Sequence, residues 1–191
     1  MNPLTRFAEL MAEATEAGVE VSNAVTLCTI DSDGLPWGRT VLVKGVDAES
    51  VTFFTNQQSA KADALRANPR ASMTVYWHAI LKQVQLAGPV EPLADDENDA
   101  YFATRPRGSQ IGAWASAQSR PLESRQALLD AVAQQEQRFA DVDPIPRPPH
   151  WGGYRIVADE VEIWHDGESR IHHRERFTKT DNGWEMRLLQ P

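Results

Sequence analysis

Thiols are almost absent from the 191-residue sequence, which contains a single cysteine, Cys28. An intramolecular disulfide, a cysteine-rich metal site and a secreted disulfide scaffold are therefore excluded. No segment approaches the roughly 20 consecutive apolar residues that a membrane-spanning helix needs. The first 18 residues lack the basic start and apolar run of a secretion signal. We therefore expect a protein of the reducing cytoplasm with no membrane partner.

Basic residues are in the minority, with 19 Lys and Arg against 27 Asp and Glu and a formal net charge of -8. This balance argues against nucleic acid as the main partner. The five histidines show no His-Glu-x-x-His spacing, and the phosphate-loop and dinucleotide glycine patterns are missing. Gly152-Gly153 is too short to count as such a pattern and is predicted to be a turn. We therefore predict no metal site.

The composition is that of a globular protein with a buried core. Hydrophobic residues make up 41% of the sequence and charged residues 24%. A chain of this length fits one domain, and we predict a single domain over residues 1–191. Leu4, Phe7, Leu10 and Ala14 follow one face of a helix. The predicted parts are an N-terminal helix in 1–18, a proline-rich connector in 141–149 and C-terminal strands in 150–191.

The order of the predicted elements favours an antiparallel fold. The predicted strands are 23–30, 39–46, 50–55, 72–77, 82–88, 154–157, 160–164, 170–179 and 183–189, and the predicted helices are 4–14, 59–67, 93–104, 109–117 and 122–139. Strands open and close the chain and helices interrupt it, without the regular strand–helix alternation of a parallel sheet. We therefore predict a mainly β fold, an antiparallel barrel with peripheral helices.

One candidate site lies in the helical part of the chain. Tyr101 and Arg105 are four residues apart in a predicted helix and so share one face. Ser109 opens the next predicted helix, where free backbone N–H groups can bind an anion. A phenol, a guanidinium and a hydroxyl that converge would bind a phosphate group. A simple helix cap beside a surface arginine is the alternative, and these residues alone leave it open.

Two predicted strands carry further candidate residues. Arg39 and Lys44 end one strand, and strict alternation places them on opposite faces, so they can serve one ligand only if twist or a bulge intervenes, or else they touch different ligands. Arg170, His172 and Arg174 alternate along another strand and so share a face, which suits an anionic or electron-rich ring. Solvated charges explain both patterns equally well.

Several short motifs occur together, and their order identifies a family. They are Arg39-Thr-Val-Leu-Val-Lys44, Phe53-Phe-Thr-Asn56, Asn68-Pro-Arg70, Trp77-His78, Gln83-Val84, Tyr101-Phe-x-x-Arg105-Pro-Arg-x-Ser109-Gln-Ile, Gln118-Ser119, Pro149-His-Trp-Gly-Gly153, Trp164 and Arg170-Ile-His172-x-Arg174. Over about residues 23–191 the sequence closely resembles the pyridoxamine 5′-phosphate oxidase family. The Arg-Pro-Arg-x-Ser-Gln-Ile and Arg-x-His stretches are the most specific parts of this resemblance.

The resemblance implies a six-stranded antiparallel split β-barrel that binds FMN at a homodimer interface. The implied FMN contacts are Arg39, Thr40, Val41, Leu42, Val43, Lys44, Phe54, Thr55, Lys61, Gln83, Gln118, Ser119, Trp164 and Arg174. The implied substrate contacts are Lys44, Tyr101, Arg105, Ser109, Arg170 and His172. Of these, Arg170 and His172 are also the implied catalytic residues.

The implied reaction is the oxidation of pyridoxine or pyridoxamine 5′-phosphate to pyridoxal 5′-phosphate, a step of vitamin B6 metabolism. Molecular oxygen accepts the electrons and yields hydrogen peroxide, and the amine substrate also releases ammonia. Two alternatives are a sister barrel enzyme, acting on a phenazine precursor or using a deazaflavin, and a non-catalytic protein that binds flavin or pyridoxal phosphate. The intact phosphate-binding set argues against the sister enzyme.

Three positions depart from the family pattern. Ala60 stands where the family usually has an arginine, which removes one cation for the FMN phosphate. His173 stands where an aspartate is common. The C-terminal ending, usually Arg-Leu-x-Pro, is Leu188-Leu-Gln-Pro191 here, so Leu188 stands in place of the arginine. These departures bear on affinity for FMN more than on the class of reaction.

Overall fold

The computed structural model describes all 191 residues, Met1–Pro191. The strands are β1 (Ala24–Ile30), β2 (Pro36–Val46), β3 (Ser50–Asn56), β4 (Arg70–Trp77), β5 (Lys82–Pro92), β6 (Trp151–Val157), β7 (Glu160–His165), β8 (His173–Thr180) and β9 (Gly183–Leu188). The helices are α1 (Pro3–Glu16), α2 (Ala60–Ala67), α3 (Asp95–Ala103), α4 (Arg107–Ala115) and α5 (Arg125–Arg138), with 3₁₀ turns at His78–Ile80 and Glu168–Arg170. None of the helices combines the length and apolar character that crossing a bilayer requires.

The nine strands form one sheet in the order β4-β1-β2-β3-β6-β5-β7-β8-β9. Because β4 also pairs with β5, the first six strands of that order close into a barrel. Strand β5 pairs over Lys82–Ala87 with β4 on one edge and with β7 on the other, so β7, β8 and β9 extend the sheet beyond the barrel. The predicted mainly β fold, a six-stranded antiparallel split barrel with peripheral helices, is confirmed.

The chain divides into two compact units, each assembled from separate stretches of sequence. The first unit comprises Met1–Phe53, Ala64–Glu91 and Tyr154–Pro191, and the second comprises Phe54–Asp63 and Pro92–Gly153. The single domain expected from the length of the chain stays a prediction.

Helix α1 covers part of the core of the first unit. It begins after Asn2, whose Oδ1 accepts hydrogen bonds from the N–H groups of Leu4 and Thr5 at 2.8 and 3.4 Å. Leu4 and Phe7 are buried on its apolar face, and the Phe7 ring stacks on Trp77 with centroids 6.0 Å apart. Each such side chain stabilises the fold by about 1.5–3 kcal/mol. The helix predicted from apolar spacing is confirmed.

The second unit has an apolar core of its own, formed by Phe102, Ile111, Phe139, Ile145 and Trp151. The predicted connector between α5 and β6 contains no helix or strand. Arg147 attaches it to α3, because its Nε and Nη2 donate to the carboxylates of Asp99 and Asp95 at 2.6 and 2.7 Å. Ile145 of the same segment is buried in the core, so the connector is packed in place rather than merely stiff.

Gly152 and Gly153 lie in β6, and their predicted turn is wrong. A Cβ atom at Gly152 would lie 2.5 Å from Nε2 of Gln57, and one at Gly153 would lie 2.8 Å from the Phe54 ring. The two glycines therefore permit close approach of neighbouring side chains to a strand, which composition alone does not distinguish from a turn.

Helix α5 also begins later than predicted. Ser124 is its N-cap and accepts a hydrogen bond from the N–H of Ala127 at 3.1 Å, so the helix starts at Arg125 rather than at Leu122. The apolar pattern of Leu122 extended the prediction past this cap.

Candidate active site

Three aromatic rings stack in the second unit and form a platform beside Arg105. The Phe54 ring lies at a centroid distance of 4.0 Å from Tyr101 and 5.2 Å from Trp151, Tyr101 and Trp151 are 6.2 Å apart, and all three rings are nearly parallel. The guanidinium carbon of Arg105 lies 4.7 Å from the centroid of the Trp151 ring. Tyr101 and Arg105, which helical spacing predicts on one face, are therefore both in contact with Trp151.

The Arg105 guanidinium is only partly satisfied within the chain. Its Nη1 atom is buried and has no hydrogen-bond partner. Burial lowers the pKa of Arg105, and the nearby Tyr101 partly offsets that effect. A buried donor without a partner costs about 1–3 kcal/mol, more if charged, so an anion bound here would recover that free energy. The arrangement suits a phosphate group.

Ser109 is the third residue of α4 rather than its first. Pro106 is the residue before the helix, and its carbonyl accepts the N–H groups of Ser109 and Gln110 at 2.8 and 3.1 Å. The prediction that Ser109 opens the helix is therefore wrong by two residues, because Arg107 and Gly108 are already helical. Ser109 is exposed in the first turn, so its hydroxyl remains available to a ligand.

Lys61 lies at the start of α2 and is 8% exposed. Its Nζ donates to Thr55 Oγ1 at 3.1 Å, to Ser59 Oγ at 3.2 Å and to Gln118 Oε1 at 2.7 Å. Ser119 follows in the left-handed region, with a φ of 68°. The structure thus brings Gln118 to Thr55 and Lys61, from which the sequence separates it by more than 50 residues.

Strand β2 carries six predicted cofactor contacts, Arg39 to Lys44, and they alternate in direction. Val41 and Val43 face the core, whereas Thr40, Leu42 and Lys44 are exposed. The two valines can therefore contact a ligand only through their main-chain groups. The register with β3 shifts by one residue between Val43 and Gly45, which places a bulge at Lys44. Alternation nevertheless persists from Arg39 to Lys44, so the exposed Lys44 still lies on the face opposite to Arg39.

Arg39 is held against strand β1. Its Nη1 donates to Thr29 Oγ1 at 2.6 Å and to the Leu27 carbonyl at 3.3 Å. Burial lowers the pKa of Arg39, and the nearby Cys28 partly offsets that effect. The side chain is therefore oriented rather than spread in solvent.

Three predicted cofactor contacts form a row across the extension of the sheet. Gln83 of β5 is paired with Trp164 of β7, and Trp164 is paired with Arg174 of β8. Directly opposite residues of neighbouring strands point to the same face, so these side chains lie side by side. The sequence predicts each residue, but only the register shows that they are neighbours.

Arg170 and His172 lie in a loop, and the prediction that they alternate along a strand with Arg174 is wrong. Arg170 belongs to a 3₁₀ turn and has a φ of 65°, and β8 begins only at His173. The reason is that β7 ends at His165, which pairs with His173, so earlier residues have no partner strand. Arg170 is exposed.

The loop nevertheless places His172 beside the row. Its ring lies 4.6 Å from the Trp164 ring. Its Nδ1 atom lies 3.3 Å from both the N–H nitrogen of Gly167 and Oδ1 of Asp166. A Cβ atom at Gly167 would clash with the carbonyl of Ile171. The tight loop therefore depends on glycine at this position.

Two groups of predicted site residues result, one in each unit. The first unit contains the residues of β2, the Gln83–Trp164–Arg174 row and His172, and the second contains the aromatic platform with Arg105 and the Lys61 network. Sequence reasoning missed Trp151, although it lies in the quoted Pro149–Gly153 motif, because its partner Tyr101 is 50 residues away. Their roles in binding stay predictions.

The protein-family models match almost the whole chain. Residues 11–139 match the family described as pyridoxamine 5′-phosphate oxidase. Residues 151–191 match the family described as the pyridoxine 5′-phosphate oxidase C-terminal dimerisation region.

Curated relatives agree with the family models. A pyridoxine/pyridoxamine 5′-phosphate oxidase of Myxococcus xanthus (strain DK1622) is 46% identical over 190 residues, which covers 100% of this chain and 92% of that protein. The enzyme of the same name from Anaeromyxobacter dehalogenans (strain 2CP-C) is 47% identical, covering 100% and 96% of the two chains.

Solved structures share the fold. PhzG from Burkholderia lata 383, in complex with tetrahydrophenazine-1-carboxylic acid, superposes with a TM-score of 0.93 at 32% identity, covering 100% of this chain and 93% of that one. An FMN-binding protein of Nostoc punctiforme related to pyridoxamine 5′-phosphate oxidase has a TM-score of 0.77 at 18% identity, covering 96% of each chain, and supports the fold alone. On the family models and the full-length relatives together, the chain belongs to the pyridoxamine 5′-phosphate oxidase family.

Proposed function

We propose that the protein oxidises pyridoxine or pyridoxamine 5′-phosphate to pyridoxal 5′-phosphate with FMN as cofactor. Each turnover reduces O2 to hydrogen peroxide, and the amine substrate also consumes water and releases ammonia. The observation that carries the proposal is the buried, unpartnered Nη1 of Arg105, whose guanidinium packs on Trp151. In a chain of this family, that donor suits the phosphate group common to both substrates.

The residues present fit FMN. The buried ammonium of Lys61 and the hydrogen-bonding groups of Thr55 and Gln118 suit a phosphate ester. The Gln83–Trp164–Arg174 row offers an amide, an aromatic ring and a guanidinium, which suit a polar ring system. The remaining proposed FMN contacts are the six residues of β2, Phe54 and Ser119. When bound, FMN supplies the two-electron acceptor for oxidation at the 4′ carbon of the substrate.

The protein's own contribution is to bind and orient the substrate. Arg105, Tyr101 and Ser109 hold the phosphate, so that the free energy of that contact fixes the position of the ring. Lys44 stays a predicted contact of the substrate. Arg170 and His172 would cover the ring of the bound substrate. The Gly167 N–H and Asp166 Oδ1, each 3.3 Å from Nδ1 of His172, orient the imidazole.

We further propose that the protein acts as a homodimer in the cytoplasm. The dimer is supported by the match of residues 151–191 to the family's dimerisation region. Exposed apolar side chains in that region, Ile171, Met186 and Leu188, provide surface for such an interface. The cytoplasmic location is supported by the unpaired state of Cys28.

A second candidate function is the oxidation of a phenazine precursor, which the structural similarity to PhzG favours. The sequence identity of 46–47% to the pyridoxine/pyridoxamine 5′-phosphate oxidases exceeds the 32% to PhzG. The Arg105 site also favours a phosphorylated substrate. The first function is therefore the better supported.

Visible spectra of the FMN-loaded protein, recorded without oxygen, separate these functions. We expect pyridoxine or pyridoxamine 5′-phosphate to bleach the flavin band and air to restore it with formation of hydrogen peroxide. Bleaching by tetrahydrophenazine-1-carboxylic acid alone would favour the second function. Bound flavin that none of the three compounds bleaches would leave a non-catalytic flavoprotein.

A further inference from the structure

Glu162 is a buried carboxylate that the proposed reaction does not use. It lies on β7, two residues before Trp164, and is 5% exposed. Its Oε1 accepts a hydrogen bond from Nε of Arg174 at 2.8 Å, and its Oε2 lies 3.6 Å from Nη1 of Arg176. Ionised side chains are rarely buried unless they are paired, and the two arginines provide that pairing for Glu162.

Arg174 is held at two points of its planar guanidinium. Nε donates to Glu162, and Nη1 donates to the Gln190 carbonyl at 2.9 Å. The C-terminal segment is fixed in turn, because the N–H of Leu189 donates to the Arg174 carbonyl at 3.0 Å. Two anchored nitrogens fix the plane of the guanidinium, and its other N–H groups remain as donors for a ligand. The hydrogen bond that Arg174 donates to Glu162 also raises the pKa of Arg174.

We propose that Glu162 is a positioning residue that orients Arg174 for FMN. The pair lies on one face of the sheet, since Glu162 is two residues from Trp164 on the same strand and Arg174 is opposite Trp164. Glu162 thereby holds the third member of the Gln83–Trp164–Arg174 row without contacting the ligand. This inference rests on the proposed function, because it assumes that Arg174 binds FMN.

Glu160 provides a matched control on the same strand. Its Oε2 accepts a hydrogen bond from Nε of Arg176 at 2.9 Å, and its side chain is 38% exposed. Glu160→Gln removes a carboxylate from the same strand, but the arginine that loses its partner is Arg176 rather than Arg174. It therefore reports the general effect of one lost charge on β7.

The test is a double-mutant cycle on the dissociation constant of FMN, measured by flavin fluorescence. We expect Glu162→Gln to weaken FMN binding about tenfold and Arg174→Ala to weaken it at least as much. The double variant should bind no more weakly than Arg174→Ala, because Glu162 acts through Arg174. Glu160→Gln should stay within about twofold of the unaltered protein.

Glu162→Asp is a second variant that tests the same role if Glu162→Gln does not fold. It keeps the charge and withdraws the carboxylate by one methylene, so it should also weaken FMN binding if orientation matters. Additive losses in the cycle, or unchanged FMN binding in a folded Glu162 variant, would overturn the positioning role. Failure of the unaltered protein to bind FMN would instead overturn the proposed function and this inference together.

Discussion

Arg105 differs from the structural arginines of the chain in its hydrogen bonding. Its guanidinium packs on Trp151 while one of its nitrogens is buried without a partner. A structural arginine in the same place would be expected to hydrogen-bond within the chain, as Arg147 does with Asp95 and Asp99. The contrast between these two arginines distinguishes a ligand-binding residue from a structural one.

Arg105→Gln should therefore damage substrate binding selectively. We expect the KM for pyridoxine 5′-phosphate to rise about 10–100-fold, since a charged hydrogen bond to phosphate is lost, with little change in the dissociation constant of FMN. Steady-state kinetics and flavin fluorescence measure the two quantities. Arg125→Gln, at an exposed position of α5, is the control. An unchanged KM in Arg105→Gln would remove Arg105 from the phosphate site.

Ala60 is the departure from the family pattern that bears most directly on FMN. It is exposed at the first position of α2, next to Lys61. Ala60→Arg should lower the dissociation constant of FMN about tenfold, because it adds a cation beside the proposed phosphate site. Ala67→Arg adds the same charge at the exposed other end of the helix and should leave FMN affinity unchanged. Equal effects from the two variants would indicate a non-specific charge effect.

At the scale of elements, the loop between β7 and β8 was hardest to predict. Its sequence alternates like a strand, but β7 stops at His165 and offers no partner beyond it. Local pattern therefore fails where pairing with a distant segment decides the structure. The α1 helix is the opposite case, since the spacing of Leu4, Phe7 and Leu10 already specifies a buried face.

The same loop makes a prediction about Gly167. A Cβ atom there would clash with the Ile171 carbonyl and lie 3.2 Å from the Cα of His172. Gly167→Ala should therefore move His172 and lower kcat at least tenfold while FMN remains bound. Gly108→Ala, where a Cβ atom meets nothing within 4 Å, serves as control. Normal turnover in Gly167→Ala would mean that the loop geometry is not needed for the reaction.

For the whole molecule, the sequence motifs predicted the barrel and its family, whereas proximity within the site needed the structure. Gln83, Trp164 and Arg174 are neighbours only through the register of three strands. The sequence also did not predict the bulge at Lys44. Register and bulges depend on pairing between distant segments, which a single sequence specifies only weakly.

The proposed dimer gives a prediction at this scale. Leu188 is 64% exposed in the C-terminal region that matches the dimerisation family. Leu188→Glu should shift the protein from dimer to monomer and weaken FMN binding, because it buries a charge in the interface. Sedimentation and flavin fluorescence would show both effects. Leu122→Glu, at a 55% exposed position outside that region, should change neither. A fully dimeric Leu188→Glu would place the interface elsewhere.

The interleaving of the two units restricts how the site can evolve. The chain passes from one unit to the other after Phe53, Asp63, Glu91 and Gly153. No single crossover in a gene can therefore exchange one unit as a block, since a clean exchange would need four simultaneous junctions. An exchange of residues 92–153 alone would transfer Tyr101, Arg105 and Trp151 but leave behind Phe54, which stacks on two of them.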